Sequence, residues 1–356
     1  MEYNIKILTN PDFDEWNQNL IKSDYSTFFQ STEFLNSDLE KIKPIFIYIY
    51  DSDKNILGQL GLRIIDSTVM YSSPLFKRFS NILSKISKRM IWVYGPIIHS
   101  KNIDERNNIL KKILEAVNKL AEQYNVVYIE GQTPPCDYSI NDEYKKIFTE
   151  NNYSQSNFHS FIADLEIPLD NLLLNVSRKA RGDLNRAKRR NITAKILETD
   201  DELDQFISLN QKWAKTKGLM ITNPEKEKKL CLSNHTNGIE KIFLAYQNNQ
   251  LISGIRIGCF NKIAYTNFVI NSYDVSTNLG GTILTWYAIE WAKNNNFMYY
   301  DFSGGPNSGL DSLLSYKSKW GGIETSYYVF RKIRKNLSYT LYSYIFNLLR
   351  GYHNRK

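Results

Sequence analysis

Strand-like and helix-like patterns alternate along this chain, and the alternation occurs twice. In the first half, apolar residues 45–50 and 57–65 predict two strands joined by a short turn. Residues 104–124 carry apolar side chains at the 3.6-residue period of an amphipathic helix, and residues 126–130 predict another strand. Strands that follow one another without a helix between them favour a mixed sheet over a fully parallel one.

The second half repeats this order of elements without repeating the sequence. Pro168 interrupts a strand-like stretch, so we place the hinge near residues 165–169. We expect an α/β protein with two tandem domains, residues 1–165 and 166–334, followed by a tail over residues 335–356. The predicted elements of the second domain are helices over 177–190, 203–216 and 282–294, and strands over 242–246, 251–259, 263–269 and 298–302.

The composition excludes several classes of protein. The chain has 356 residues, enough for two domains that each bury a core. No apolar stretch reaches the roughly 20 residues that cross a bilayer, and residues 1–14 lack the apolar run of a secretory leader. We therefore expect a cytoplasmic protein. The three cysteines lie far apart and the four histidines have no metal-ligand spacing, so we expect neither disulfides nor a bound metal.

The net charge of +8 is concentrated in two segments. Residues 178–190 contain seven basic residues and one acidic residue, Asp183, and residues 331–356 contain seven basic residues and no acidic one. The rest of the chain is mildly acidic. Such patches usually bind phosphate, whether in a substrate, a nucleic acid or a membrane surface.

The first basic segment lies on a predicted helix. Ala180, Leu184 and Ala187 recur at helical spacing and form a small apolar face. Basic side chains project from the other side, where they repel one another. An anionic partner would relieve this repulsion, so we interpret the face as a phosphate site rather than a solvated surface. The predicted ligands are Arg178, Arg181 and Lys188.

Several short motifs follow one another in a fixed order along nearly the whole chain. They are Phe29-Gln30-Ser31, Tyr94-Gly95-Pro96, the basic helix, Asn278-Leu279-Gly280-Gly281, Tyr300-Asp301-Phe302-Ser303-Gly304-Gly305 and Tyr316-Lys317-Ser318-Lys319-Trp320-Gly321. Together they resemble the FemABX family. The resemblance implies two tandem acetyltransferase-like (GNAT) domains with mixed sheets, and transfer of an acyl group to an amine. In the best-known members the donor is an aminoacyl-tRNA and the acceptor is a peptidoglycan precursor.

Two features depart from the family pattern. Members often carry a lysine after the aromatic-Gln-Ser motif, at a place that corresponds here to Asp38, with Lys41 and Lys43 nearby. This departure argues against a nucleotide-linked peptidoglycan acceptor. Some members also insert a long helical arm where this chain has a short predicted loop over residues 220–238. The chain therefore resembles the armless branch.

The resemblance assigns the chemistry to two residues. Lys317 corresponds to the family's signature lysine, and a fixed cation there would stabilise the oxyanion formed when an amine attacks an ester or thioester. Asp301 ends a predicted strand and is either a general base or the cap of the turn that follows. Without the resemblance, Lys317 would be interpreted as a solvated lysine on a polar turn. We also expect Gln30, Tyr265 and Tyr316 to bind substrate, and we expect no tightly bound cofactor.

The donor is expected to be aminoacyl-tRNA or acyl-coenzyme A. The glycines of Asn278-Leu279-Gly280-Gly281 precede a helix, as in coenzyme A enzymes, but residues 273–277 lack the usual Arg or Gln. The expected acceptor is a cell-envelope precursor, either a peptidoglycan peptide or an amino sugar. The alternatives are a coenzyme A-dependent sugar N-acyltransferase and a non-catalytic family member that binds RNA or membrane.

The tail carries an apolar stripe at helical spacing. Its members are Leu337, Leu341, Tyr344, Ile345, Leu348 and Leu349, and basic residues flank both ends. This pattern is typical of an interfacial helix attracted to anionic lipid. A helix packed on the protein or bound to a partner gives the same pattern. We therefore expect either peripheral contact with the inner membrane face or packing within the molecule.

Overall fold

The computed structural model describes residues 3–23, 27–36, 42–66, 86–136, 142–217, 223–272, 279–306 and 311–353. They divide into two compact units. The first contains Met1–Asn157 and Ser326–Lys356, and the second contains Phe158–Lys217 and Ile221–Thr325. This division differs from the predicted boundary between residues 165 and 166. Residues 158–165 group with the second unit, and residues 326–334 group with the first.

The first unit contains a mixed sheet and five helices among the described residues. The elements are β1 (Asn4–Leu8), α1 (Phe13–Ile21), α2 (Thr32–Leu35), β2 (Ile42–Tyr50), β3 (Ile56–Asp66), β4 (Lys88–Trp92), β5 (Ile97–Ile98), α3 (Ile103–Gln123), β6 (Tyr128–Gln132), α4 (Asp142–Glu150), the later part of β14 (Ile323–Ile333) and α11 (Asn336–His353). The strand order is β1-β2-β3-β4-β6-β14, in which only β4 and β6 are parallel.

The second unit repeats this plan. Its elements are β7 (Ser154–Asp164), α5 (Leu169–Asn175), α6 (Arg178–Arg189), β8 (Thr193–Ile196), α7 (Asp200–Thr216), α8 (Pro224–Thr236), β9 (Glu240–Gln247), β10 (Gln250–Phe260), β11 (Ile263–Asn271), α9 (Leu279–Asn294), β12 (Tyr299–Asp301), β13 (Gly305–Pro306) and α10 (Asp311–Ser318). The strand order is β8-β9-β10-β11-β12-β7, in which only β11 and β12 are parallel.

In each strand order, four antiparallel strands are followed by one parallel strand that a helix connects, and a sixth strand, β14 or β7, pairs antiparallel with it. Helix α3 lies between β4 and β6 in the chain, and α9 lies between β11 and β12. Parallel neighbours require such a crossover because a tight turn cannot join them. The predicted α/β class, the mixed sheets and the duplicated order of elements are therefore confirmed.

Local sequence explains why the main helices form where they do. Asn102 accepts a hydrogen bond from the backbone N–H of Glu105 at the start of α3, and this satisfies a donor that the helix itself leaves unpaired. Ile109, Ile113 and Val117 on the same helix are fully buried. These positions belong to the apolar period that the sequence shows, and they form one large core with the sheet of the first unit.

Several elements differ from the expectations, and α8, β7 and β14 are the longest of them. Helix α8 occupies the place of the predicted loop, because Asn223 caps it and Pro224 lies in its first turn. The long strands β7 and β14 were not predicted. In β7, exposed and half-buried positions follow one another up to His159, so the strand lacks a clear alternation of apolar and polar residues.

Candidate functional site

Lys317 lies in the last turn of α10 with its side chain directed into the protein. The residue is only 9% exposed. Its Nζ donates to the carbonyl oxygens of Ser303, at 2.7 Å, and Gly304, at 3.1 Å. Burial lowers the pKa of Lys317 to about 8, and the nearby Asp301 carboxylate opposes this shift. The lysine is therefore a buried amine and not a solvated one.

Ser303 forms the turn that receives this amine. Its φ of 58° lies in the left-handed region, which residues other than glycine seldom adopt. The backbone N–H of Ser303 donates to Asp301 Oδ1 over 2.7 Å, and its hydroxyl donates to the carbonyl oxygen of Thr266 over 2.6 Å. Both hydrogen bonds hold the turn that the sequence assigned to the Gly-rich segment.

Asp301 ends β12 and is 1% exposed. Besides the N–H of Ser303, its Oδ1 accepts a hydrogen bond from the hydroxyl of Ser160 in β7. The backbone of Asp301 pairs with that of Tyr265 in β11, so these two predicted site residues are neighbours across the sheet. Sequence reasoning missed Ser160, because its strand was not recognised and the pairing that brings it to Asp301 is long-range.

Tyr316 connects α10 to α9 through its hydroxyl group. The hydroxyl lies 2.8 Å from Thr285 Oγ1 and donates to the carbonyl oxygen of Gly281 over 3.1 Å. Burial raises the pKa of Tyr316 to about 12. The ammonium of Lys319 lies 4.2 Å from the centre of the Tyr316 ring, a cation–π distance. Tyr316 thus anchors the helix that carries Lys317, in addition to any role in binding substrate.

The basic helix α6 forms as predicted. Ser177 caps it by accepting from the N–H of Ala180, and Ala180, Leu184 and Ala187 are buried. The N–H of Ser177 also donates to the carbonyl oxygen of Lys319 over 2.8 Å. The structure therefore brings the first turn of the basic helix next to the end of α10.

The predicted phosphate ligands lie on the outer side of α6. Arg178 and Lys188 are exposed, and Arg181 is half-buried with its Nη1 donating to the carbonyl oxygen of Leu174 at 3.2 Å. Arg186 pairs with Asp183 over 2.8 Å. Among the described residues, neither Arg178 nor Lys188 forms an ion pair. Their positive charges remain available to an anion.

Gln30 lies apart from these residues, in the first unit. It is fully buried, and its Nε2 donates to the carbonyl oxygens of Gly61, at 3.1 Å, and Val93, at 2.8 Å. Its Oε1 accepts from the N–H of Gly61 over 2.8 Å. The amide thus joins the turn before α2 to the sheet of its own unit.

Part of the predicted donor and acceptor segments lies outside the described residues, namely residues 273–278, Asp38 and Lys41. Gly280 and Gly281 are buried in the first turn of α9, where a Cβ added to Gly280 would lie 2.7 Å from Ser253 Cβ. Lys43 lies in β2 with its ammonium 4.7 Å from the ring centre of Tyr124. Within the described part of the chain, no group of three His, Cys, Asp or Glu could hold a metal ion.

The C-terminal helix α11 carries an exposed apolar stripe. Leu337, Leu341 and Tyr344 are 89%, 49% and 64% exposed. On the opposite side of α11, the Tyr339 ring lies 5.3 Å from the ring of Tyr128, which is in β6 of the same unit. None of the described helices is long and apolar enough to span a bilayer.

Solved structures share the architecture of both units. The crystal structure of FemX superposes with a TM-score of 0.68 over 96% of this chain and 99% of that chain, at 13% identity. A tandem GNAT protein from the clavulanic acid biosynthesis pathway gives 0.57 over 93% and 98%, at 11% identity. L-PGS from Bacillus licheniformis gives 0.54 over 98% of both chains, at 13% identity. This chain has the tandem GNAT fold.

The tandem GNAT fold agrees with the resemblance that the ordered motifs indicated. No protein-family model matches the sequence, and no curated protein matches it either. In this fold the second unit carries Lys317, Asp301 and the basic helix α6, whereas Gln30 belongs to the first.

Proposed function

We propose that this protein transfers an acyl or aminoacyl group from an activated donor to an amine. The observation that carries the proposal is the buried amine of Lys317, held at the carbonyl oxygens of Ser303 and Gly304 beside the end of β12. A lysine that is 9% exposed and has no ion pair among the described residues is costly to bury. Ionisable groups that are buried at such a cost are concentrated at catalytic sites.

The proposed reaction is a direct transfer. The acceptor amine attacks the carbonyl carbon of the donor ester or thioester, and negative charge develops on the carbonyl oxygen. An N–H group of Lys317 that is not committed to Ser303 or Gly304 stabilises this oxyanion. The loss of one such donor typically reduces turnover by about 10²-fold to 10³-fold.

The exposed basic face of α6 is proposed to hold phosphate groups of the donor or the acceptor. Arg178, Arg181 and Lys188 supply the charge, and Arg presents paired N–H groups that fit phosphate oxygens. The two expected donors, aminoacyl-tRNA and acyl-coenzyme A, are both rich in phosphate. The proposed acceptor is a cell-envelope precursor, either a peptidoglycan peptide or an amino sugar.

One experiment separates the candidate donors and tests the enzyme proposal. Purified protein is incubated with labelled aminoacyl-tRNA and, separately, with labelled acyl-coenzyme A, each with an amino-sugar or peptide acceptor. Consumption of one donor that requires Lys317 would support transfer and identify the donor. Binding of RNA or lipid without consumption of either donor would instead favour the non-catalytic alternative.

We also propose that α11 contacts the inner face of an anionic membrane, where lipid-linked precursors would be met. Three large apolar side chains on one side of α11 are exposed, while Tyr339 on the other side lies against Tyr128. Partial burial of such a stripe in lipid, together with the flanking basic residues, gives reversible and salt-sensitive binding.

A further inference from the structure

The amine of Lys317 has a restricted choice of hydrogen bonds. It donates to the carbonyl oxygens of Ser303 and Gly304 over 2.7 and 3.1 Å. A protonated amine carries three N–H groups, whereas a neutral amine carries two N–H groups and one lone pair. When Lys317 is neutral, both of its N–H groups are satisfied by the two carbonyls. Its lone pair is then directed away from them.

The two carbonyls are held by a strained turn. Ser303 adopts φ 58°, a conformation that is unfavourable for an L-residue with a side chain. Its N–H is bound by Asp301 and its hydroxyl by the carbonyl oxygen of Thr266. Backbone strain that several contacts maintain is concentrated at functional sites.

Asp301 is engaged with the protein itself. The residue is 1% exposed, and its Oδ1 accepts from both the Ser160 hydroxyl and the Ser303 N–H. Its charge also acts on Lys317. These contacts suit a residue that fixes the turn and balances the charge of the lysine. They suit less well a base that must meet an incoming amine.

We infer that Lys317 is itself the proton acceptor of the transfer, and that Asp301 and Ser303 are positioning residues for its amine. This inference rests on the acyl transfer proposed above and names the base of that reaction. It differs from the role of general base that the sequence suggested for Asp301.

Lys317 alone can accept the proton that the reaction releases and return it to the leaving group. A bond forms between the acceptor nitrogen and the acyl carbon, and the nitrogen becomes positively charged. Its proton passes to the lone pair of Lys317 Nζ, which becomes an ammonium whose third N–H faces the oxyanion. As the bond to the leaving oxygen or sulfur breaks, that proton passes to the leaving group. The products are the amide and the alcohol or thiol, and Lys317 returns to its neutral form.

The protonation behaviour of Lys317 agrees with this role. Burial lowers its pKa to about 8, so the neutral fraction of the amine near physiological pH is far larger than that of an ordinary lysine. The negative charge of Asp301 acts in the opposite direction and raises the pKa. A proton acceptor is most effective when its pKa lies near the working pH.

The test measures how readily Lys317 is acetylated as a function of pH, because acetic anhydride reacts only with the unprotonated amine. Trace amounts of labelled reagent are added to the full chain between pH 6 and about 11, and the modification of each lysine is read by mass spectrometry. We expect a midpoint near pH 8 for Lys317. A midpoint near about 10.4, the ordinary lysine value, would overturn the inference. So would a lysine that reacts only after unfolding.

Two variants separate the charge of Asp301 from general loosening of the site. Asp301→Asn removes the negative charge that favours the protonated amine, so the midpoint should move to lower pH. Ser160→Ala removes an equally buried hydrogen-bond partner but keeps the carboxylate, so its midpoint should stay close to that of the wild type. An unshifted midpoint in folded Asp301→Asn would contradict the positioning role. If that variant does not fold, the wild-type profile still decides the main point.

Measurements of turnover then separate the role of Lys317 as proton acceptor from its role as donor to the oxyanion. Lys317→Arg keeps a cation that can donate to an oxyanion, but arginine does not accept a proton at these pH values. We expect Lys317→Arg to be as inactive as Lys317→Met. Substantial activity in Lys317→Arg would overturn the inference and leave the proposed transfer intact. A midpoint near pH 8 without turnover on any donor would instead count against the transfer itself.

Discussion

The backbone N–H of Ser177 donates a hydrogen bond to the carbonyl oxygen of Lys319 over 2.8 Å. Ser177 caps the basic helix α6, and Lys319 follows α10, the helix that carries Lys317. A single main-chain contact therefore ties the first turn of the basic helix to the residues just after the candidate catalytic lysine. A phosphate bound at that turn would lie in the same part of the second unit as the buried amine.

The first prediction concerns the activity of Lys317. Lys317→Met should reduce kcat by at least about 10²-fold, because the variant loses the donor to the oxyanion. Lys319→Met is the matched control, since Lys319 lies two residues away and contacts the Tyr316 ring instead of the turn carbonyls. Initial rates with the donor that the protein consumes decide the matter. Activity within a few-fold of the wild type would remove Lys317 from the mechanism.

The second prediction concerns stability and pH. The pKa of Lys317 is lowered from 10.5 to about 8 in the folded protein, so between these values the unfolded chain binds more protons than the folded one. The wild type should therefore gain stability as the pH rises through this window, by up to about 3 kcal/mol.

Lys317→Met has no such group and should lack this gain. The free energy of unfolding of both proteins, measured by urea denaturation at pH 7 and pH 10, tests the sign. A difference between the two proteins that does not change with pH would contradict the lowered pKa.

The third prediction concerns the basic face of α6. Replacing Arg178, Arg181 and Lys188 with Gln should raise KM for the phosphate-bearing substrate and flatten the salt dependence of its binding. Arg186→Gln is the control on the same helix, because the charge of Arg186 is already paired with Asp183. If the triple variant binds like the wild type across a salt series, α6 is a solvated surface.

The fourth prediction concerns α11 and the membrane. Replacing Leu337, Leu341 and Tyr344 with Ser should abolish sedimentation with anionic liposomes, and high salt should weaken sedimentation of the wild type. Leu174→Ser is the control, since Leu174 is an apolar residue of α5 that is 69% exposed. Truncation after Arg334 should act like the triple variant. Equal sedimentation of all forms, or of none, would leave α11 without a role in lipid binding.

The fifth prediction concerns two glycines. Gly321 has φ 82°, and a Cβ there would lie 2.8 Å from Asn175 Cβ. Gly321→Ala should therefore destabilise the protein by at least about 1 kcal/mol. Gly182, in α6, has open space around it, so Gly182→Ala should stabilise by about 0.5–1 kcal/mol. Thermal unfolding of the two variants should show shifts of opposite sign.

Much of the fold could be predicted from short segments of sequence, because the spacing of apolar residues within one segment indicates a helix or a strand. The buried face of α6 and the pairing of β2 with β3 follow from such patterns. Strand β7 could not be predicted this way, since its partners β12 and β13 come more than a hundred residues later in the chain. Helix α8 was missed although its Asn223-Pro224 start is a recognisable capping signal.

The candidate site shows the same limit. The sequence motifs indicated Asp301 and Lys317 as candidate site residues. The hydrogen bond from the Ser303 N–H to Asp301 is seen only in the structure. Ser160 carries no local signal, because a serine in a polar stretch is ordinary. Its importance depends on a hydrogen bond across the sheet to a residue 141 positions away.

The position of β14 in the chain has a consequence for synthesis. Its residues 329–333 pair with β6, and Phe330 stacks on Phe148 at 3.8 Å in the core of the first unit. During translation, the strands made first must therefore wait for a segment that is made after the whole of the second unit. The second unit ends at Thr325, so all of its residues precede that segment. The part of the protein that is made later can thus finish folding earlier, and the incomplete first sheet must be kept from aggregating in the interval.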